Sequence, residues 1–111
     1  MTTIFGKIIK GELPADKVFE NERIVAIKDI NPAAPVHILI MPKKEIPDLQ
    51  SLSEEDLQLV GEMIQVAQSL AVRFNIADGY RLLTNNGTSA GQSVFHLHFH
   101  LIGGRTLGAL A

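Results

Sequence analysis

The stretch that decides the fold is Phe95-His96-Leu97-His98-Phe99-His100-Leu101-Ile102, in which apolar residues and histidines alternate. Successive side chains of an extended strand point to opposite faces of its sheet. The three histidines are therefore expected on one face, and the apolar residues between them on the other face, against a core. Those apolar residues are Phe95, Leu97, Phe99 and Leu101.

Three imidazoles in a row indicate chemistry, because histidine exchanges protons near neutral pH and also acts as a nucleophile and a metal ligand. A structural alternative is a row of core histidines bonded to backbone carbonyls, although satisfying three such rings is costly. Another alternative is a zinc site shared with His37. A straight strand separates the backbones of His96 and His100 by about 13 Å, which resists convergence on one ion. The row suits an elongated anion, such as a phosphate chain, better.

Bulk composition limits the classes of partner. The chain has 111 residues, no cysteine and a formal net charge of −2. We expect a single domain over residues 1–111, small for an enzyme that encloses its substrate alone, a shortage that a homodimer would relieve. The mixed charges offer no basic face for a nucleic acid polymer. The absence of cysteine fits a reducing compartment.

The N-terminal residues and the apolar runs bear on localisation. Residues 1–7 lack the layout of a signal peptide. No apolar run approaches the roughly 20 residues that a membrane span needs. We therefore expect a soluble cytoplasmic protein without a membrane partner.

Turn residues and apolar periodicity predict an α+β fold, an antiparallel sheet of about five strands with one long and one short helix. The short helix is predicted at Ile4 to Lys10, with Thr3 as its cap, and the long helix from a Ser53 cap to about Phe74. Strands are predicted at 18–20, 23–28, 37–41, 80–84 and 95–102. The long helix is expected to cover the sheet with Leu57, Val60, Met63, Ile64, Ala67, Leu70, Ala71 and Phe74.

A polar loop, residues 85–93, leads into the histidine stretch. Gly87 and Gly91 allow backbone N–H groups to approach an anion closely, and Gln92 and Ser93 add side-chain donors. Such loops are usually plain turns. Here the nearness of Ser93 to His96 favours a phosphate site.

Several segments together resemble one family. Residues 96–102 resemble the His-x-His-x-His motif, followed by two apolar residues, of the histidine triad nucleotide-binding hydrolases and transferases. Gly-Gly-Arg at 103–105 favours the Hint branch over the fragile-histidine-triad branch, and His100 stands where the uridylyltransferase branch has glutamine. Further segments similar to the Hint branch are 4–9, 29–30, 34–37, 42–44 and 91–93.

The resemblance implies a purine nucleoside phosphoramidase, which cleaves the P–N bond between a nucleoside monophosphate and an amine. The implied ligand is a purine nucleoside monophosphate or its phosphoramidate, and the chemistry requires no metal or other cofactor. The resemblance also implies a homodimer in which two copies share one continuous sheet. His98 is the implied nucleophile, forming a covalent nucleotidyl-histidine that water then hydrolyses.

The resemblance assigns roles to other residues as well. His100 is expected to contact the phosphate or aid departure of the amine, with His96 and His37 in support. Asp29 is expected to bind the ribose hydroxyls, although a loop carboxylate also commonly caps its own backbone. The other implied nucleotide-binding residues are Ile8, Ile27 and Ile30 around the base, and Asn85, Gly91, Gln92 and Ser93 at the phosphate or the leaving group.

Two segments depart from the family pattern. Ile27 stands where animal relatives have an aromatic residue, and the tail after Arg105 lacks their tryptophan. The base slot and the amine side are therefore open to variation. Lys43 and Lys44 follow a predicted strand, where we expect a solvated edge in preference to a phosphate site. Alternative functions are a nucleotide-binding scaffold with little turnover and a dinucleoside polyphosphate hydrolase.

Overall fold

The computed structural model describes residues 2–111. The strands are β1 (Lys17–Glu20), β2 (Ile24–Lys28), β3 (Val36–Pro42), β4 (Tyr80–Leu83) and β5 (Phe99–Gly103). The helices are α1 (Ile4–Ile9) and α2 (Leu57–Arg73), with single 3-10 turns at Leu49–Ser51, Glu54–Asp56 and Thr88–Ala90. The strands form one sheet in the order β1-β2-β3-β5-β4, and each neighbouring pair is antiparallel. The predicted fold class is confirmed.

Strand β2 divides the core into two layers. Ile24 and Ala26 belong to the apolar cluster that includes the buried face of α2. Val25 and Ile27 belong to a second cluster on the opposite face of the sheet, together with Phe5 of α1. This alternation is what the hairpin sequence predicts. The short helix α1 thus covers the face that carries the candidate site.

Helix α1 begins at the predicted cap, where the Thr3 hydroxyl accepts a hydrogen bond from the Gly6 N–H at 3.1 Å. It ends one residue earlier than predicted, since Lys10 is its C-cap. Gly11, at φ +79°, then takes a left-handed conformation that glycine adopts without strain. Within residues 2–111, neither helix is long and apolar enough to cross a membrane.

The long helix differs from the prediction in its start and in its buried face. A 3-10 turn precedes it, and the hydroxyl of Ser53 donates to the Asp56 carboxylate at 3.0 Å. Leu57 and Ile64, predicted as core, are 58% and 42% exposed. The buried residues are Leu59, Met63, Val66, Ala67, Leu70 and Ala71. Apolar residues form two adjoining stripes on this helix, and the sheet covers only the one centred on Met63 and Ala67.

The histidine stretch is only partly the predicted strand, because β5 begins at Phe99 and the chain bends over residues 94–96. The β3–β5 register would put Leu97 opposite Pro42, which has no N–H to continue a ladder. Leu97 donates instead to the Ile46 carbonyl oxygen. Phe95 is consequently 47% exposed and not a core residue, whereas Leu97, Phe99 and Leu101 are buried as predicted.

Candidate functional site

The candidate site lies on the α1 face of the sheet, where the bend and β5 bring histidine rings together. The His98 ring lies between two others, its centroid 4.8 Å from that of Phe5 and 5.0 Å from that of His100. His96 is on the same face, 6.5 Å from Phe5, but it is only 3% exposed. The expectation of one shared face is therefore correct, but His96 is buried beneath it.

Backbone carbonyls determine where the protons of His96 and His98 lie. A carbonyl oxygen can only accept a hydrogen bond. Nε2 of His96 therefore donates to the Pro42 oxygen at 2.7 Å, and Nδ1 of His98 donates to the His96 oxygen at 2.7 Å. In the neutral ring of His98 the lone pair is then on Nε2. No fully buried side-chain nitrogen or oxygen among the described residues lacks a partner, so this atom is open to the cleft.

A second pair of imidazoles is oriented in the same way. The Ala33 N–H donates to Nδ1 of His37 at 3.0 Å, so that nitrogen has no proton and Nε2 carries it. Nε2 of His37 lies 2.9 Å from Nδ1 of His100 and 3.4 Å from the Asp29 carboxylate, and the shorter distance indicates that the proton points to His100. Nδ1 of His100 therefore accepts a hydrogen bond, and the proton of this ring is on Nε2, which can donate to a ligand in the cleft. We refer to these two rings as the His37–His100 pair.

Burial keeps the two rings of the cleft uncharged. It lowers the pKa of His98 below the usual 6.5, an effect that the hydrogen bond to the His96 carbonyl opposes. It lowers the pKa of His100 to about 4, with further lowering from His98 and His37. Both rings are neutral at pH 7, which is the state that a nitrogen nucleophile and a neutral donor require.

Asp29, His37 and His100 are close enough to hold a metal ion, since their ligand atoms lie within 4.8 Å of one another. The hydrogen bonds fit a cation poorly. A histidine that binds a metal usually donates its other ring N–H to an acceptor. Here the other nitrogen of His37 accepts the Ala33 N–H, so a metal at Nε2 would displace the only proton of the ring. The three side chains suit a proton-directed hydrogen-bond chain better.

A cleft of about 420 Å³ opens beside His98 and His100, a size suited to a small organic ligand. Its lining is mostly apolar and includes Ile8 and Ile27, both buried, and Ile30, which is 92% exposed. An isoleucine this exposed at the rim of an apolar cleft is available to cover a ligand. The polar part of the lining consists of Asp16, Lys28, Asp29, Asn31, Ser93, His98 and His100.

The loop residues expected from the sequence occupy different places. Ser93 lines the cleft. Gly91, at φ +101°, lies beside the Asn85 amide, where an added Cβ would be 3.8 Å from Nδ2. Gln92 is buried, and its amide holds the loop together by accepting from the Gly87 N–H and donating to two carbonyls. Its side chain is thus engaged by the protein itself.

Asp29 makes the local backbone cap considered for it, and its expected role at the ribose stays a prediction. Its Oδ1 accepts a hydrogen bond from the Asn31 N–H at 2.8 Å, the local cap, while the residue also lines the cleft. Lys43 and Lys44 pair with acids, at 2.9 Å from Glu20 and 2.6 Å from Asp56. These lysines therefore resemble a solvated edge more than a phosphate site.

Phe5, Leu39 and Asn31 are additions to the site residues expected from the sequence. Phe5 could have been found from its spacing, because it precedes Ile8 by three residues and so shares one side of α1. Leu39 could have been found only from the register, which pairs it with His100 across β3 and β5.

Comparison with known proteins agrees with this geometry. Residues 10–107 match the model of the HIT domain family. The chain is 54% identical over 109 residues to a HIT-like protein of Chlamydia pneumoniae, covering 98% of this chain and 99% of that one. It is 48% identical over 109 residues to an Escherichia coli K12 protein named purine nucleoside phosphoramidase, covering 97% and 92%. A solved HIT family hydrolase from Clostridium thermocellum superposes with a TM-score of 0.93 at 50% identity, covering 97% and 95%.

Proposed function

Because the chain belongs to the histidine triad (HIT) family, whose solved relatives include hydrolases, we propose that it is a purine nucleoside phosphoramidase with His98 as its nucleophile. One observation carries the proposal. Nδ1 of His98 is held by the His96 carbonyl, which leaves the Nε2 lone pair open at the floor of the cleft. The name of the Escherichia coli relative supports the choice of substrate class.

The reaction proceeds in two displacements at phosphorus. Nε2 of His98 forms a bond to the α-phosphorus while the P–N bond breaks, and the electron pair of that bond leaves with the amine nitrogen. The nitrogen of the P–N bond first takes a proton from solvent and is then positively charged. When the bond breaks, it departs as a neutral amine, and the positive charge is left on the His98 imidazolium. Water then attacks phosphorus, the histidine recovers its electron pair, and a proton returns to solvent.

The His37–His100 pair serves this reaction as a fixed donor. Nε2–H of His100 donates to a phosphoryl oxygen, whose negative charge grows as the displacement begins. The His96 carbonyl stabilises the His98 imidazolium through the bond to Nδ1. His96 acts through that bond and through its own bond to Pro42, and so orients the nucleophile without touching substrate.

The remaining residues bind the nucleotide. Ile8, Ile27 and the exposed Ile30 form an apolar slot for the base. Asp29 accepts from the ribose hydroxyls. Ser93 of the cleft, with Asn85 and Gly91 of the same loop, binds the phosphate or positions the leaving amine, and Gln92 acts through the shape of its loop.

The test is hydrolysis of adenosine 5′-phosphoramidate by the whole chain and by His98→Asn. Asparagine cannot form the covalent intermediate, so we expect turnover to fall to background while binding of adenosine monophosphate, followed by calorimetry, survives. Mass spectrometry of the wild-type protein quenched during turnover should detect nucleotide on His98. An active His98→Asn variant would refute the assignment.

Two alternatives are separated in the same assay. If a diadenosine polyphosphate is cleaved faster than the phosphoramidate, the protein is a dinucleoside polyphosphate hydrolase. If adenosine monophosphate binds but neither substrate turns over, the protein is a nucleotide-binding scaffold. The open Nε2 of His98 favours an enzyme over the scaffold, because a pocket used only for binding has no need of an unpaired nucleophile. Between the two hydrolases, the name of the Escherichia coli relative favours the phosphoramidase.

We also propose a homodimer in which two sheets join into one. β4 is at one edge of the sheet, and an edge strand exposes unpaired N–H and C=O groups. Its first residue, Tyr80, is exposed as well. Light scattering of the purified chain should give twice the chain mass, and proline in place of Leu82 should reduce that mass to one chain or prevent folding. A monomeric wild-type chain would contradict the dimer.

A further inference from the structure

We propose that Arg105 is a positioning residue, which sets the direction of the His37–His100 pair through the loop between Asp29 and Val36. This inference rests on the proposed function for its catalytic consequence, though not for its structural content. Arg105 is exposed and does not touch the rings. Its Nη2 donates to the Ala33 carbonyl oxygen at 2.8 Å, and its Nη1 donates to the Thr106 oxygen at 2.9 Å.

Ala33 is held on both sides. Its carbonyl accepts from Arg105, while its N–H donates to Nδ1 of His37 at 3.0 Å. Gly104 reinforces the contact from the same segment, since it takes φ +98° and an added Cβ would stand 3.0 Å from the Pro35 ring. Gly104 and Arg105, which directly follow β5, therefore hold the loop at two points, one a hydrogen bond and one a close packing contact, and we refer to these two contacts as the clamp.

The clamp has an electronic consequence because a backbone N–H can only donate. With the Ala33 N–H on Nδ1, the proton of His37 must lie on Nε2 and point to Nδ1 of His100, 2.9 Å away. His100 must then present Nε2–H to the cleft. If the loop withdraws, His37 can carry its proton on Nδ1, and His100 can reverse and present a lone pair to an anionic phosphate.

The reversed pair would repel the ligand that the native pair attracts. A hydrogen bond to a charged group is among the stronger ones in proteins. Losing it should weaken binding of adenosine monophosphate by about tenfold. Adenosine, which has no phosphate, should lose less affinity, because it would be affected only by loosening of the loop.

The experiment compares Arg105→Gln and Arg105→Lys with Arg81→Gln in the whole chain. Arg81 is a matched control, because its guanidinium also donates to a backbone carbonyl, that of Gly108 in the tail, at 3.0 Å. Long-range nitrogen–proton NMR reports which nitrogen of each imidazole carries the proton. We expect Arg105→Gln to shift His37 and His100 toward the reversed tautomers and to weaken binding of adenosine monophosphate more than that of adenosine. Arg81→Gln should leave both measurements unchanged.

Further variants and outcomes keep the inference separable from the proposed function. Gly104→Ala disturbs the same loop with Arg105 intact and should act in the same direction, so it replaces Arg105→Gln if that variant does not fold. Arg105→Lys keeps a donor for the Ala33 carbonyl and should have a smaller effect than Arg105→Gln. Unchanged tautomers and an unchanged affinity ratio in Arg105→Gln, or in Gly104→Ala where Arg105→Gln does not fold, would overturn the inference, as would an equal effect of Arg81→Gln. If the wild-type chain has the stated tautomers but hydrolyses no phosphoramidate, the proposed function fails and the positioning role stands.

Discussion

Nδ1 of His98 lies 2.7 Å from the carbonyl oxygen of His96, two residues earlier in the chain, and this bond decides which nitrogen of His98 is open to the cleft. The bend over residues 94–96 makes the contact possible, since in a regular strand that carbonyl would point to a neighbouring strand. A break in the sheet, caused by Pro42 on β3, thus orients the central histidine of the motif.

The acid limb of the pH profile should reflect the burial of His98 and His100. Burial lowers the pKa of both rings below 6.5, so protonation, and with it loss of the His98 lone pair, occurs only at lower pH. We expect the acid limb of kcat/KM for adenosine 5′-phosphoramidate to have its midpoint below pH 6.5. The measurement is a rate profile from about pH 4 to 9.

Phe5 offers a direct test of that cause. Its ring lies 4.8 Å from that of His98 in an edge contact, so Phe5→Ala would admit water to the imidazole. The acid limb of this variant should move up toward 6.5, while Phe5→Leu, which keeps the site covered, should move it less. A limb that stays in place in Phe5→Ala would show that burial by Phe5 does not control the protonation of His98.

Ile30 should contribute to nucleotide binding and not to folding. At 92% exposure it has little packing to lose in the free protein, yet it lines the cleft. Covering about half of an isoleucine side chain with a base contributes about 1 kcal/mol, or roughly fivefold to tenfold in Kd. We expect Ile30→Ala to weaken adenosine monophosphate binding by that factor, with an unchanged Tm.

Two further variants serve as controls for Ile30→Ala, one at an exposed residue far from the cleft and one at a buried residue of the slot. Val72→Ala removes a 66% exposed side chain from α2, on the other face of the sheet, and should alter neither quantity. Ile27→Ala, in the buried part of the slot, should destabilise the fold by about 2 to 5 kcal/mol. If Ile30→Ala binds as tightly as the wild type, the base does not lie against Ile30.

The sequence was sufficient for features that depend on local patterns. Alternation along the hairpin predicted the two faces of β2, and the Thr3 cap predicted the start of α1. The sequence was insufficient for features that depend on contacts between distant segments of the chain. The bend at the histidines depends on where Pro42 falls in the β3–β5 register, and this requires knowledge of the pairing.

The same distinction applies to the buried face of α2 and to the side chain of Gln92. Leu57 and Ile64 are as apolar as the residues that are buried, so periodicity could not decide which stripe faces the sheet. Gln92 has the donors of a phosphate-binding residue, but its amide bonds to Pro47, 45 positions earlier in the chain. Likewise, 72 positions separate Arg105 from Ala33, and no local pattern connects them.

Asp56 should stabilise the fold in a way that depends on pH. Lys44 at 2.6 Å and the Ser53 N–H lower the pKa of this carboxyl from 3.8 to about 2. A carboxyl with a lowered pKa in the folded state contributes stability above its unfolded pKa, and the contribution is lost as pH falls through the folded value. Asp56→Asn should therefore have a lower Tm than the wild type at pH 7, and the difference should shrink between pH 3.8 and about 2.

Glu54→Gln is the control for this prediction, since Glu54 lies in the same turn but makes no ion pair among residues 2–111. Its Tm should follow that of the wild type across the titration. If the difference in Tm between Asp56→Asn and the wild type stays the same down to pH 2, the shape of the Asp56 side chain, and not its charge, accounts for its role.

The two glycines Gly103 and Gly61 should respond to alanine with opposite signs. A Cβ at Gly103 would lie 3.0 Å from Ile76 Cδ1 and 3.2 Å from the Gly79 carbonyl oxygen, and a backbone oxygen cannot move aside cheaply. We expect Gly103→Ala to lower the free energy of unfolding by about 1 to 3 kcal/mol. At Gly61, inside α2, an added Cβ meets no atom within 4 Å. Alanine there removes the entropic penalty of a helical glycine and should raise the free energy of unfolding by about 0.5 to 1 kcal/mol.

Urea denaturation of the two variants beside the wild type measures both effects, with equal m-values as the sign that the unfolded state is unchanged. Comparing the two variants isolates the effect of steric contact around the added Cβ, because the substitution is the same and only the neighbouring atoms differ. Gly103 begins the Gly-Gly-Arg segment that reaches the loop before His37, so a tolerated alanine there would mean that the end of β5 can shift. The clamp formed by Gly104 and Arg105 would then lack the rigid base on which the orientation of His37 depends.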